Sequence, residues 1–127
     1  LLCTAGWALP ADDNADVTGY WEGDSKCTVP NSACRDEHAL YRIFTDDKNS
    51  LKVNGCKVVE GKPQFMGTLT CEYQPAVLTC TAHTASQDEW EFHVARDNMS
   101  GTLKIGSEKT LYRRINVHRS DTKLTCP

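Results

Sequence analysis

The side chains of this 127-residue chain best equipped for chemistry are seven cysteines and four histidines, and their spacing decides what that chemistry is. The cysteines stand at 3, 27, 34, 56, 71, 80 and 126. No two have the Cys-x-x-Cys spacing of a zinc knuckle, a redox pair or a haem attachment site. Cysteines this dense in a short chain imply a disulfide framework made in an oxidising compartment, secreted or periplasmic. The histidines are His38, His83, His93 and His118. If the runs at 78–83 and 88–95 pair with their apolar faces matched, Thr81 lies opposite His93 and His83 opposite Glu91. His83, Glu91 and His93 are then a weak candidate donor set for zinc or copper, with plain solvated residues as the alternative.

Patterns for catalysis are missing. Neither Gly-x-Ser-x-Gly nor His-Glu-x-x-His occurs, and no glycine-rich phosphate loop precedes a helix. The acidic pairs Asp12-Asp13 and Asp46-Asp47 fall in a tail and a turn, where solvated charge is the default. A cysteine nucleophile needs a free thiol of low pKa, whereas paired cysteines are inert. The expectation is a non-enzyme with no cofactor. Fourteen basic and 17 acidic residues are spread along the chain, for a net charge of −3. With no basic stripe there is nothing to neutralise phosphates, which speaks against nucleic-acid binding. No apolar run approaches the roughly 18 residues of a transmembrane helix.

The elements that must position these residues are strands. Apolar residues recur with period two almost throughout. Leu69, Cys71 and Tyr73 alternate with Thr68, Thr70 and Glu72; Trp90, Phe92 and Val94 alternate with Glu91, His93 and Ala95. Met99, Gly101, Leu103 and Ile105 share one face, as do Leu111, Arg113, Ile115 and Val117. Turn residues punctuate the chain at "DDKNS", "VNG", "EGKP", "YQPA", "SQD", "RDN" and "GSEK". The first strand falls in the Asp16–Gly23 region and the last over 110–119. The only candidate for a short helix or 3₁₀ turn is "NSACRDE" at 31–37. Eight to nine strands with short connections make an all-β meander, and an up-and-down antiparallel barrel hides its edges.

The cysteines fit this frame. Strands either side of "QPAV" set Cys71 directly opposite Cys80 on the inward face, within disulfide reach. Cys27 and Cys34 bracket a loop that a local bridge would pin. Cys56 and Cys126 then form a third pair, with Cys3 spare for an intermolecular bridge or competing for Cys126. Residues 1–16 read as a signal-peptide remnant or an extended arm, cut or retained near residue 11, and 17–127 as the barrel domain.

One motif stands out at the start of the meander: "TGYWEG", a tryptophan between two glycines at 18–23. Together with the late "LYRRINVHR" it resembles the glycine-x-tryptophan opening of lipocalins and related barrels, and the chain is similar to small secreted bacterial lipocalin-like proteins. The resemblance implies that Gly19 and Trp21 close one barrel end under an arginine, Arg113 first and Arg119 second. Inward parity separately offers a small-molecule pocket lined by Tyr73, Trp90, Phe92, Met99 and Arg113, the last able to hold an anionic or polar head group. The same residues could instead fill a solid core. A second expectation is a self-assembling extracellular subunit joined to copies of itself through its apolar arm and Cys3.

Overall fold

In the computed structural model, which describes residues 13–82 and 85–127, the chain alternates as the period-two pattern demands. A 3₁₀ turn, Asp13–Asp16, leads into eight strands: β1 (Gly19–Cys27), β2 (Glu37–Thr45), β3 (Leu51–Val59), β4 (Lys62–Gln74), β5 (Val77–Ala82), β6 (Glu89–Ala95), β7 (Asn98–Ile105) and β8 (Thr110–Arg119). Each pairs antiparallel with its sequence neighbour, and β8 returns to pair with β1, closing an up-and-down barrel. The connections obey local chemistry. Glu60 and Gly61 both take positive φ (52° and 76°), the geometry of a two-residue hairpin between β3 and β4. The Asp46 carboxylate accepts from the amides of Lys48 (3.0 Å) and Ser50 (2.8 Å), shaping the β2–β3 turn.

The main core lies inside the barrel. Val17, Trp21, Ile43, Leu51, Val53, Leu78, Phe92, Met99, Ile115 and Val117 are buried there with Cys71 and Cys80. Each large apolar side chain removed from water contributes roughly 1.5–3 kcal/mol before ordering costs. A second, smaller core sits on the outer wall. The C-terminal segment 120–127 crosses β1, β2 and β3, and Leu40, Cys56 and Cys126 are buried beneath it with Val58 and Leu124 alongside. Ser120 N–H donates to the Tyr20 carbonyl (2.9 Å), and the Asn54 amide donates to the Pro127 carbonyl (2.8 Å). This strap explains why Glu22, an outward residue of β1, is buried.

Three disulfides staple the barrel, Cys27–Cys34, Cys56–Cys126 and Cys71–Cys80, the pairs expected from the sequence. Cys71 and Cys80 are register partners across β4 and β5. Cys3 lies outside the described residues.

Three details differ from expectation. Residues 31–36 form a turn and irregular loop rather than a helix, Glu37 already belongs to β2, and the 3₁₀ element precedes β1. Leu111 does not share the face of Arg113, because a register shift pairs Leu103 with Arg113 but Lys104 with Leu111 and leaves Tyr112 as the extra residue. Alternation read across a bulge inverts. A second bulge, opposite Gly55 and Cys56, leaves Met66 unpaired in β4. Beyond it, β5 pairs with β4 only over Leu69–Gln74. The β5-facing side of Lys62–Thr68 therefore carries no partner among the described residues, and Phe65 and Met66 are more than half exposed there (53% and 56%).

Candidate functional site

The two ends of the barrel are built differently. At one end, the inward positions hold large side chains and Trp21 lies fully buried across them. Its indole N–H donates to the Val17 carbonyl (2.9 Å), which ties the 3₁₀ turn beneath the barrel floor. A guanidinium covers the ring at 4.4 Å, and it belongs to Arg119. The first-choice partner, Arg113, is corrected: it sits toward the opposite end, pairing with Leu103 and Cys27. Arg119 also donates to the carbonyls of Thr18 and Asp16, so one side chain stacks on the plug and holds its approach segment. The glycine of the motif has a physical role. Gly19 has φ +125°, and a Cβ there would meet the Arg119 Nη1 at 2.8 Å.

At the other end, inward positions hold Ser25, Ala39, Gly55, Gly67 and Ala82. These small residues leave a cavity of about 440 Å³, within the range of small-molecule pockets. Leu69, Trp90, Leu103 and Met66 form its apolar wall, and Arg113, Glu37, Ser25 and Tyr41 its polar one. The cavity reaches the part of β4 that has no β5 partner among the described residues, with Met66, Gly67 and Thr68 on one side and Ala82 and Trp90 on the other.

The polar wall is a knit cluster. The Arg113 guanidinium meets the Glu37 carboxylate at 3.2 Å, with only 12% and 21% of the two side chains exposed. It also donates to the Ser25 carbonyl (3.2 Å) and hydroxyl (3.3 Å). An arginine cannot take a proton from that hydroxyl, so Ser25 is a hydrogen-bonding group and not an activated nucleophile. Tyr41 stands edge-on to Phe92, ring centroids 5.8 Å apart. Burial pushes its phenol well above the ordinary tyrosine range, the nearby Glu37 carboxylate pushes it further, and Arg113 offsets part of this.

Of the residues read as pocket-lining, Trp90 and Arg113 border the cavity. Tyr73, Phe92 and Met99 belong to the packed half: Phe92 and Met99 are buried, and Tyr73 reaches Asp16 at 3.5 Å beneath the plug. Ser25, Glu37, Ala39, Tyr41, Gly55 and Gly67 were missed. For Ser25, Ala39, Gly55 and Gly67 the signal was small residues at inward parity toward one end of several strands, visible only once each strand's direction is assigned.

The strand register that would set His83 opposite Glu91 is not the one observed. β5 and β6 pair Thr79 with Glu91 and Val77 with His93, a four-residue offset from the register that apolar matching suggested. Cys80 must face Trp90 and Leu78 must face Phe92 to bury both disulfide and ring, and this sets the register. His93 contacts Glu91 at 3.1 Å on an exposed surface, and His83 lies outside the described residues. On the outer wall His38 (3.2 Å) and His118 (4.0 Å) flank Glu22, which also accepts from Ser120 (3.3 Å). Among the described residues no group of three or more His, Cys, Asp or Glu is arranged to hold a metal ion. No helix among them is long and apolar enough to cross a membrane.

Compared with protein-family models, curated proteins and solved structures, the chain matches none.

Proposed function

We propose that this is a secreted, non-enzymatic binding protein that holds a small apolar or amphiphilic molecule in the open half of its barrel. The observation that carries the reading is the contrast between the halves: one packed around Trp21, the other hollow over about 440 Å³. A protein with no use for that space would gain by filling it, since voids forfeit packing energy. The lipocalin-like reading is supported by the Gly19–Trp21–Arg119 closure and the single eight-stranded barrel. Three disulfides support an oxidising, extracellular or periplasmic location. Native mass spectrometry without reductant, on protein from its natural source, tests the reading. A discrete small-molecule adduct lost on Gly55→Val substitution is expected; a bare chain under every gentle condition overturns it.

A second reading, assembly through the N-terminal segment, is favoured by one observation, the β5-facing side of Lys62–Thr68, which has no partner among the described residues, with Phe65 and Met66 exposed beside it. An extended apolar strand adds to such an edge. Light scattering of the chain with and without residues 1–11 decides it: multimers that vanish on deletion support assembly, and a monomer in both dismisses it.

A further inference from the structure

We infer that the cavity selects an uncharged amphiphile, an apolar body carrying a hydroxyl-type group, and discriminates against both fatty anions and cations. The inference rests on the binding reading above and concerns the chemistry of its ligand. An arginine in a barrel mouth invites the expectation of a carboxylate or phosphate ligand. The geometry here points elsewhere.

Arg113 is already satisfied: Glu37 neutralises it at 3.2 Å, and Ser25 accepts from it twice. Among the described residues Glu37 and Arg113 are the only charged ones on the cavity wall, and their charges cancel. An anionic head group could reach the guanidinium only by displacing Glu37. That carboxylate is four-fifths covered and has no second cation beside it among the described residues. A cationic head group would strand Arg113 in the same way. Removing one partner of a buried pair leaves an uncompensated charge, and this penalises either ligand.

The groups left over suit a neutral ligand. Glu37 uses Oε1 on Arg113, which leaves Oε2 without a side-chain donor among the described residues. The Tyr41 side chain borders the same space, and its hydroxyl makes no hydrogen bond to the described residues. Its burial holds it protonated, so it can donate. One acceptor and one donor bordering the same cavity, near enough for the carboxylate to act on the phenol, match an alcohol: the ligand O–H donates to Glu37 and its oxygen accepts from Tyr41. The apolar lining of Leu69, Trp90 and Leu103, the last beside Arg113, takes the apolar body. A polar site built to pair a hydroxyl rejects analogues that lack it, because its own groups are then left unpaired.

The test is a matched series of decanol, decanoate and decylamine, each titrated against the intact oxidised protein below its micelle concentration, read by tryptophan fluorescence and calorimetry. Decanol should bind at least about tenfold more tightly than either charged probe. In Glu37→Gln the guanidinium loses its counter-charge, and decanoate should gain about tenfold or more while decanol changes little. Decanoate binding tightest to the wild type, or all three binding alike, overturns the inference and leaves the binding reading intact. If none of the three binds, nor decane-saturated buffer shifts the fluorescence, the binding reading itself falls. Should Glu37→Gln fail to fold, the wild-type series decides alone, and Tyr41→Phe, which keeps the ring on Phe92, should weaken decanol several-fold relative to decanoate.

Discussion

At the scale of single residues, Gly19, Trp21 and Arg119 form one device. The tryptophan fills the floor, the arginine lies on it, and the glycine exists because any Cβ would strike the guanidinium. Gly19→Ala should therefore cost about 1–3 kcal/mol in urea denaturation, from a positive φ and a close contact together. Phe92 and Trp90, two residues apart on the same strand face, should behave differently. Phe92→Ala removes a fully packed ring and should cost about 3–5 kcal/mol. Trp90→Ala enlarges an existing hollow, and its loss should be smaller by more than 1 kcal/mol or so. Tyr41 supplies a pH prediction. Its folded phenol titrates above the unfolded one, so the folded state retains a proton that the unfolded chain releases above the ordinary value near 10. Stability should hold to about that pH and then fall by at most about 1.4 kcal/mol per unit. Tyr41→Phe should flatten that slope, as measured by denaturant melts across alkaline buffers.

At the scale of elements, the C-terminal strap has no counterpart in the strand pattern. Residues 120–127 add a non-strand segment over β1–β3, buried through Leu40, Cys56 and Cys126. The Cys56–Cys126 bridge closes a loop of 70 residues, and the chain-entropy relation gives it about 4 kcal/mol. The Cys27–Cys34 bridge spans only 7 and is worth about 2 kcal/mol on the same relation. Paired serine substitutions should reproduce that order in guanidinium unfolding. The two bulges are the other element-level feature. One flips Leu111 away from the face of Arg113, and the other frees Met66 at the rim of the cavity. Neither has a sequence signature beyond a glycine nearby, because a bulge is chosen by how two strands must bend together and not by either alone.

At the scale of the whole molecule, a closed barrel with one filled and one hollow half is a consequence of where small inward residues fall. Gly55 faces the cavity, and a Cβ there would find only ordinary contact with the Tyr41 ring at 3.7 Å. Gly55→Val should thus fold with unchanged or slightly higher Tm while losing ligand uptake, read by calorimetry and by probe fluorescence. A large loss of stability would show instead that the space is not available.

Cys56–Cys126 was reached only as the remaining pair, with Cys3 competing for Cys126, but the sequence by itself determined the strand-rich class, the closed meander, the eight-strand count to within one, and the pairs Cys27–Cys34 and Cys71–Cys80. These follow from period-two alternation, turn residues and cross-strand opposition, which are local or pairwise rules. It also placed Gly19 and Trp21 together at the barrel's start. Only the tertiary structure decided which arginine covers the tryptophan, because Arg113 and Arg119 have the same parity and differ only in which end of the barrel they reach. The β5–β6 register was likewise beyond pairwise rules, since matched apolar faces tolerate any even offset and burial of Cys80 against Trp90 selects one. The hollow was the least legible of all. A cavity belongs to no strand: it is the space left when Ser25, Ala39, Gly55, Gly67 and Ala82, small residues from five strands, converge on one end.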